Sequence, residues 1–374
     1  MKKIIFVTNS TWNAYNFRKE LIKDLAKDNY QVHIIAPIDD KASYFLKKKN
    51  IFLHDISLNT RSKNIFNDLK YMLILWRKFK EIKPDVVLNF VMKPLIYSSF
   101  VANTQNIPVV NTQTGLGTAY LNGGLFSWVT LLLYRIAYKN KSKKVLFHNK
   151  DDMDLFLEKN IVSKYQADTI PGSGIDLTKF SIKRKSDAPD TLIFLLVARI
   201  IKDKGVNEFL DSVELFFKHH KNLNIKFEII GSFVEDGATN SHLRARVLDL
   251  NAKKVILYKD FTGDVTSQMA KADIIVMPSY REGTSRVLLE ASALERPIIT
   301  TDVPGCNNVV IDNVTGFLCK SKNSFDLYQK MIKMASLSDS ERGLMGKEGR
   351  KHVTNCFSVE VVVEKYRSVI SDIL

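Results

Sequence analysis

Cysteine is scarce here and follows no pattern. Cys306, Cys319 and Cys356 form neither a CxxC pair nor an even framework, which argues against a disulfide-stapled fold and for a reducing compartment. The seven histidines show no HxxxH or HxH spacing, and His219-His220 lie among lysines, so a histidine zinc site lacks its ligands. No GxxxxGK[ST] loop occurs, which removes the P-loop reading. Internal repeats and low-complexity tracts are also missing. Long apolar runs are few. The greasiest, 125–137, is broken by Ser127, Thr130 and Arg135 and falls short of the ~20 residues of a spanning helix. The run Ile4-Ile5-Phe6-Val7 after Met1-Lys2-Lys3 is too short for a signal peptide's apolar region. The expected location is the cytoplasm, peripheral on the cytosolic face of the inner membrane.

Acidic residues are the next shortage. Against 55 Lys+Arg stand 40 Asp+Glu, a net charge of +15 over 374 residues, which suggests an anionic partner: nucleic acid, membrane surface or phosphorylated substrate. The surplus is uneven. Residues 1–180 hold 27 basic and 15 acidic residues, and 101–150 hold six basic and no acidic ones. The anionic partner therefore belongs mainly to the first half. No RRM, helix-turn-helix or zinc-finger signature is present, so nucleic acid is not expected.

What is present is strand–helix alternation, in a chain long enough for two cores. Apolar runs at 4–7, 32–36, 86–91, 109–110 and 145–147 read as buried strands, with helices such as 16–28 and 65–83 between them. After the polar stretch 181–190 the pattern restarts with strands at 191–198, 227–230, 255–258, 274–277 and 297–301. Continuously apolar strands indicate parallel sheets covered on both faces. The expectation is α/β: two doubly wound Rossmann-like domains, 1–182 and 183–357, with ligands at the strand C-termini facing a central cleft.

Two strand ends carry chemistry. In Ala198-Arg199-Ile200-Ile201-Lys202-Asp203-Lys204-Gly205 a strand runs into a loop with two cations and then a helix over 206–217. Such a turn offers backbone N–H groups and a positive dipole end to an anion. Arg199 can hold a phosphate bidentately and Lys204 adds a compact charge; paired to a carboxylate and solvated, the same residues would be ordinary surface. In Pro278-Ser279-Tyr280-Arg281-Glu282-Gly283-Thr284-Ser285-Arg286-Val287-Leu288-Leu289-Glu290, Glu282 falls in a loop and Glu290 two turns into the next helix. Two such carboxylates suit either acid/base work or a grip on sugar hydroxyls.

Together these signals resemble glycosyltransferase family 4, whose members are retaining, metal-independent, nucleotide-sugar-dependent enzymes of the GT-B fold. Further motifs extend the resemblance over nearly the whole chain. They are Ile170-Pro171-Gly172-Ser173-Gly174-Ile175-Asp176, Gly231, the late loops Asp302-Val303-Pro304-Gly305-Cys306 and Thr315-Gly316-Phe317-Leu318, and Thr114-Gly115-Leu116-Gly117-Thr118-Ala119-Tyr120. The last is similar to enzymes that build capsule, O-antigen and N-glycan precursors on polyprenyl diphosphate. The resemblance implies that Arg199 and Lys204 clamp the donor diphosphate, Glu282 contacts the transferred sugar and Glu290 accepts from the ribose. It also implies that Gly231, Gly283 and the backbone of Thr284, Ser285, Arg286 and Val287 line the donor site. In the first domain it points to Asn9, Ser10, Asn13, Arg18, Thr114 and Gly115 for the acceptor or phosphate. The family's glycine-rich first loop is replaced here by Thr8–Arg18 without glycine, and its small polar side chains with Arg18 stand in for backbone contacts. The C-terminal segment 358–374 is expected to pack back on the first domain.

The implied activity is transfer of a hexose or N-acetylhexosamine from a UDP-linked sugar to a polyprenyl-diphosphate-linked saccharide, with no metal cofactor. A sugar-nucleotide hydrolase or epimerase, and a non-catalytic basic module, are the competing readings. Asp152-Met153-Asp154 has the form of a metal-binding DxD but reads better as the first turn of a helix capped by Asn149. Two amphipathic segments are weighed for an anionic membrane surface. The segment 121–144, with Trp128, Leu131–Leu133 and Tyr134 beside Arg135, Lys139, Lys141, Lys143 and Lys144, is read as lying in the interface. The segment 65–83 is read as core-facing, with Lys70 and Arg77 on a solvated back.

Overall fold

The apolar runs pair side by side, without exception in parallel, into two separate sheets. The computed structural model describes residues 1–56, 64–116, 124–139, 142–180, 191–220, 223–234, 237–261 and 263–374. The chain divides into Met1–Gly174 with Val359–Leu374, and Ile175–Ser358. The stretch 181–190, the expected join, lies outside the described residues, as do 117–120 of the Thr114 motif and Lys141.

In chain order the first unit holds β1 (Lys3–Val7), α1 (Thr11–Lys27), β2 (Gln31–Ala36), α2 (Ser43–Leu46), β3 (Ile51–Asp55), α3 (Ile65–Ile82) and β4 (Val86–Phe90). It continues through α4 (Met92–Thr104), β5 (Val109–Gln113), α5 (Gly124–Tyr138), β6 (Ser142–Phe147), α6 (Lys150–Glu158) and β7 (Ala167–Thr169). The sheet order is β3-β2-β1-β4-β5-β6-β7. Helix α1 starts five residues before its expected start, because Ser10, in extended backbone, accepts from the Asn13 N–H and caps it. The supposed first loop is thus only 8–10, and Arg18 belongs to the helix. From the chain's end, Val362, Tyr366, Val369 and Ile370 of helix Val359–Ser371 enter the same apolar cluster as Ile4, Phe6, Leu21 and Leu25. Arg367 bridges Asp24 and Asp28 at 2.6 and 2.9 Å, tying that helix to α1.

The second unit holds β8 (Leu192–Val197), α7 (Val206–His219), β9 (Ile225–Ile230), α8 (Gly237–Ala252), β10 (Leu257–Lys259), α9 (Val265–Lys271) and β11 (Ile274–Met277). Then come α10 (Arg286–Ala293), β12 (Ile298–Thr301), β13 (Gly316–Cys319), α11 (Ser324–Ser336) and α12 (Asp339–Phe357). Its sheet runs β10-β9-β8-β11-β12-β13. The segment Gly316-Phe317-Leu318, expected as a late loop, is instead the edge strand β13, paired to β12 from Ile298↔Gly316 to Thr301↔Cys319. Gly316 is needed because a Cβ there would lie 2.1 Å from the Ile298 carbonyl oxygen.

One surface expectation holds in part and another is corrected. Helix α3 faces the core through Tyr71, Leu75, Phe79 and Ile82, with Met72 and Trp76 packed against that cluster, whereas Ile65, Phe66, Leu69 and Leu73 near its start are exposed. Helix α5 ends at Tyr138, which places Lys143 and Lys144 on β6 rather than on a basic helical face.

Candidate functional site

Both doubly wound sheets change winding direction next to their first strand, and in each the loops after the two central strands open onto that point. In the second unit these strands are β8 and β11, paired at Ile274↔Phe194 and Ile275↔Leu195. The loops that follow them carry the two motifs read from sequence, so residues 78 positions apart become neighbours: Lys204 Nζ forms an ion pair with Glu282 Oε1. Ser279 Oγ donates to the same Glu282 oxygen at 2.6 Å. Lys204 and Glu282 side chains are 19% and 16% exposed, so the pair is largely sheltered from water rather than a solvated surface contact. Arg199 is exposed at the end of β8 and forms no ion pair among the described residues.

Glycines hold these loops together. At Gly205 (φ +68°), between Lys204 and α7, an added Cβ would meet the Pro278 carbonyl oxygen at 1.9 Å. At Gly305 (φ +80°) it would meet the Glu282 carbonyl oxygen at 2.3 Å. The loop 302–306 supports the Glu282 loop directly. Glu282 N–H donates to the Pro304 carbonyl at 3.0 Å, and Ser285 N–H to the Gly305 carbonyl at 2.9 Å. The Ser285 N–H is therefore committed to the protein, contrary to the expectation that the backbone from Thr284 to Val287 faces a ligand throughout. Ser285 instead caps α10 through its side chain, which accepts from Leu288 N–H.

Gly231 also has a structural reason. A Cβ there would lie 1.7 Å from the Ala198 carbonyl oxygen, while its own carbonyl accepts from Tyr258 Oη at 2.9 Å. Glu290 is engaged by Arg286 Nε at 2.8 Å across one helical turn, and Gly283 and Thr284 continue the loop between Glu282 and that helix. Beneath the site Cys306 is fully buried. Burial, and then the Glu282 charge, push its thiol up to about 12, so it is a packing residue and no nucleophile. Sequence reasoning missed Ser279; the signal was a small hydroxyl three residues before a loop carboxylate.

In the first unit the corresponding loops follow β1 and β4. Thr8 Oγ1 donates to Asn13 Oδ1 at 2.9 Å, and Ser10 Oγ accepts from Asn13 N–H at 3.0 Å. Both side chains thus shape the helix start. Asn9 Oδ1 is buried there without a hydrogen-bond partner in the protein. Val91 closes β4 at φ +70°, a conformation rare for a β-branched residue, which concentrates strain at this strand end. Arg18 is 4% exposed, and its guanidinium lies 4.3 Å over the Phe90 ring. It forms a buried floor to the region rather than part of a loop. Beside it His148 is driven down to about 3, by burial first and by the Arg18 charge second. Gly115 (φ +137°) accepts from Gln113 Nε2 at 2.8 Å, and Thr114 lies between them.

The DxD segment is the first turn of α6. Asn149 caps it, accepting from Asp152 N–H at 2.8 Å, and Asp154 pairs with Lys150 at 2.8 Å. Among the described residues no group of three or more His, Cys, Asp or Glu side chains is placed to hold a metal ion.

Comparison with known proteins covers both units. The pattern "Glycosyl transferase 4-like" matches residues 3–149, and "Glycosyl transferases group 1" matches 178–352. The chain is 26% identical over 364 residues to the capsular polysaccharide biosynthesis glycosyltransferase CapM of Staphylococcus aureus, covering 94% of this chain and 93% of that one. It is 26% identical over 347 residues to the N,N'-diacetylbacillosaminyl-diphospho-undecaprenol alpha-1,3-N-acetylgalactosaminyltransferase of Campylobacter jejuni, covering 88% of each. Among solved structures, Anabaena Alr3699/HepE in complex with UDP and glucose superposes with a TM-score of 0.81 at 15% identity, over 99% of this chain and 100% of that one. That likeness shows the fold, which is GT-B.

Proposed function

This chain belongs to the glycosyltransferases of the group 1 and 4-like families, and from that premise we propose that it is a retaining, metal-independent enzyme of surface-polysaccharide assembly. It moves a hexose or N-acetylhexosamine from a UDP-linked sugar to a polyprenyl-diphosphate-linked saccharide. The observation that carries this reading is the meeting of Lys204 and Glu282 at the switch point of the second sheet, with Arg199 exposed at the end of β8. Two relatives named for capsule synthesis and for transfer to diphospho-undecaprenol, matched over most of their length, support the acceptor class.

Chemically, cleavage of the sugar–phosphate bond places negative charge on the departing diphosphate and positive character on the anomeric carbon. Arg199 and Lys204, the latter held by Glu282, supply the cations for the first, and Glu282 with Glu290 the acceptors for hydroxyl groups of the sugar and the ribose. The acceptor oxygen forms its bond to the anomeric carbon on the face the diphosphate leaves, and a departing phosphate oxygen takes the acceptor's proton. No protein nucleophile is required. The test is transfer to a synthetic polyprenyl-diphosphate saccharide with a panel of sugar nucleotides, with the product anomer read by NMR and EDTA present. Retained configuration and unchanged rate in EDTA are expected. Sugar release without acceptor would instead mark a hydrolase.

The same reading includes a membrane-facing first unit. On α5 the side chains of Trp128, Val129, Leu132 and Ile136 are exposed beside Arg135 and Lys139, and α4 packs against both α5 and α3. No helix among the described residues is long and apolar enough to cross a membrane, so the attachment is interfacial. Flotation with anionic liposomes is expected to recover the wild type and to lose a Trp128→Ser/Leu132→Ser/Ile136→Ser variant; full retention would refute it.

A further inference from the structure

Two residues outside the donor motifs' charged set connect the loops that bear Lys204 and Glu282. Tyr280 lies two positions before Glu282, and its hydroxyl donates to Glu208 Oε1 at 2.7 Å. Glu208 stands in the first turn of α7, four residues after Lys204. That helix opens on Gly205, which supplies no side-chain cap, so its first turn is fixed by other means. The 278–285 loop holds the turn that leads into it: Tyr280 N–H donates to the Asp203 carbonyl at 2.9 Å. The second carboxylate oxygen of Glu208 is buried without a hydrogen-bond partner in the protein, so the Tyr280 hydroxyl carries much of that anion's solvation. Burial and the adjacent carboxylate both raise the Tyr280 hydroxyl's pKa, keeping its proton in the bond.

We infer that Tyr280 and Glu208 are positioning residues of the donor clamp. Their hydrogen bond sets the register of the 278–285 loop against α7 and thereby the placement of Lys204 relative to Glu282. Neither side chain touches the ligand; each acts through the loop it holds. The inference rests on the reading of Lys204 as the diphosphate cation.

Calorimetric titration of the full chain with UDP at 25 °C tests it. Tyr280→Phe keeps the ring and deletes the hydroxyl; the Kd for UDP is expected to rise about tenfold, the scale of one hydrogen bond to a charged group. Glu208→Gln keeps an acceptor oxygen and is expected to bind within about twofold of wild type, whereas Glu208→Leu should match Tyr280→Phe. The double variant Tyr280→Phe/Glu208→Leu should be no weaker than either single one, since all delete the same bond. A Tyr280→Phe protein with lowered Tm but wild-type Kd would overturn the inference, because the bond would then be structural only. Glu208→Gln as weak as Glu208→Leu would overturn it too, and this pair carries the test if Tyr280→Phe does not fold. Wild-type protein that fails to bind UDP would overturn the donor-clamp reading itself, a result distinct from either.

Discussion

The Lys204–Glu282 pair puts a carboxylate where a diphosphate should bind, and this makes opposite predictions for its two members. Replacing Lys204 with Met removes a cation that is 19% exposed, and with it a charge-assisted contact to phosphate of about 1.5–3 kcal/mol. The expected loss of UDP affinity is roughly 10- to 100-fold. Replacing Glu282 with Gln keeps the side chain's shape and the acceptor for Ser279 Oγ but removes an anion beside the ligand. At about 6 Å and an effective dielectric of about 20, repulsion between Glu282 and one phosphate charge is roughly 3 kcal/mol. Part of that is cancelled because Lys204 already partners Glu282 in the free protein, so a gain of a few-fold in UDP affinity is expected. Turnover should move the other way, since Glu282 is assigned to the transferred sugar. Calorimetry with UDP beside a transfer assay separates the two. A Glu282→Gln variant that loses UDP as severely as Lys204→Met would refute the reasoning, because the carboxylate would then be holding the nucleotide rather than competing with it.

Acid should destabilise the fold through His148. Its folded-state pKa, about 3, lies below the unfolded value of 6.5, so stability is complete above pH 6.5 and falls as the pH drops through the window between the two. By pH 5 the loss from this residue is roughly 2 kcal/mol, readable as a lower urea midpoint that a His148→Gln variant should largely abolish. Gly305→Ala should cost upwards of about 2 kcal/mol and weaken UDP binding, given the 2.3 Å approach to the Glu282 carbonyl oxygen. Gly343→Ala is the control: it sits in α12 with nothing within 4 Å of an added Cβ, and should raise stability by about 0.5–1 kcal/mol in thermal denaturation.

Most of the strand–helix order was legible, and the failures have physical causes. Strand β3, Ile51–Asp55, was missed because as a sheet edge it buries only Ile51 fully, so it lacks the continuous apolar run of a central strand. Strand β7 is three residues long. Strand β13 begins on Gly316, which looked like a turn until its pairing with β12 showed that the glycine admits a neighbouring backbone. At the candidate site, the charged residues could be singled out because they follow apolar strands directly, and their proposed roles came from the family resemblance rather than from their spacing. The supporting groups, Ser279, Tyr280 and Glu208, could not, since hydroxyls and helix-start acids occur throughout the chain.

Local chemistry lies within the sequence. The apolar runs make buried parallel strands, Ser10 and Asn149 start helices, and the cations and acids cluster on particular loops. Which loops meet is a tertiary outcome. Lys204 faces Glu282 because β8 pairs with β11 rather than only with β9, a choice made by packing of the whole sheet. Tertiary packing also exposes Ile65, Phe66, Leu69 and Leu73 on α3, and places the helix Val359–Ser371 in the first unit's core. Helical period can say that a face is apolar; only the neighbours that arrive to cover it, or fail to, decide whether that face is core or surface.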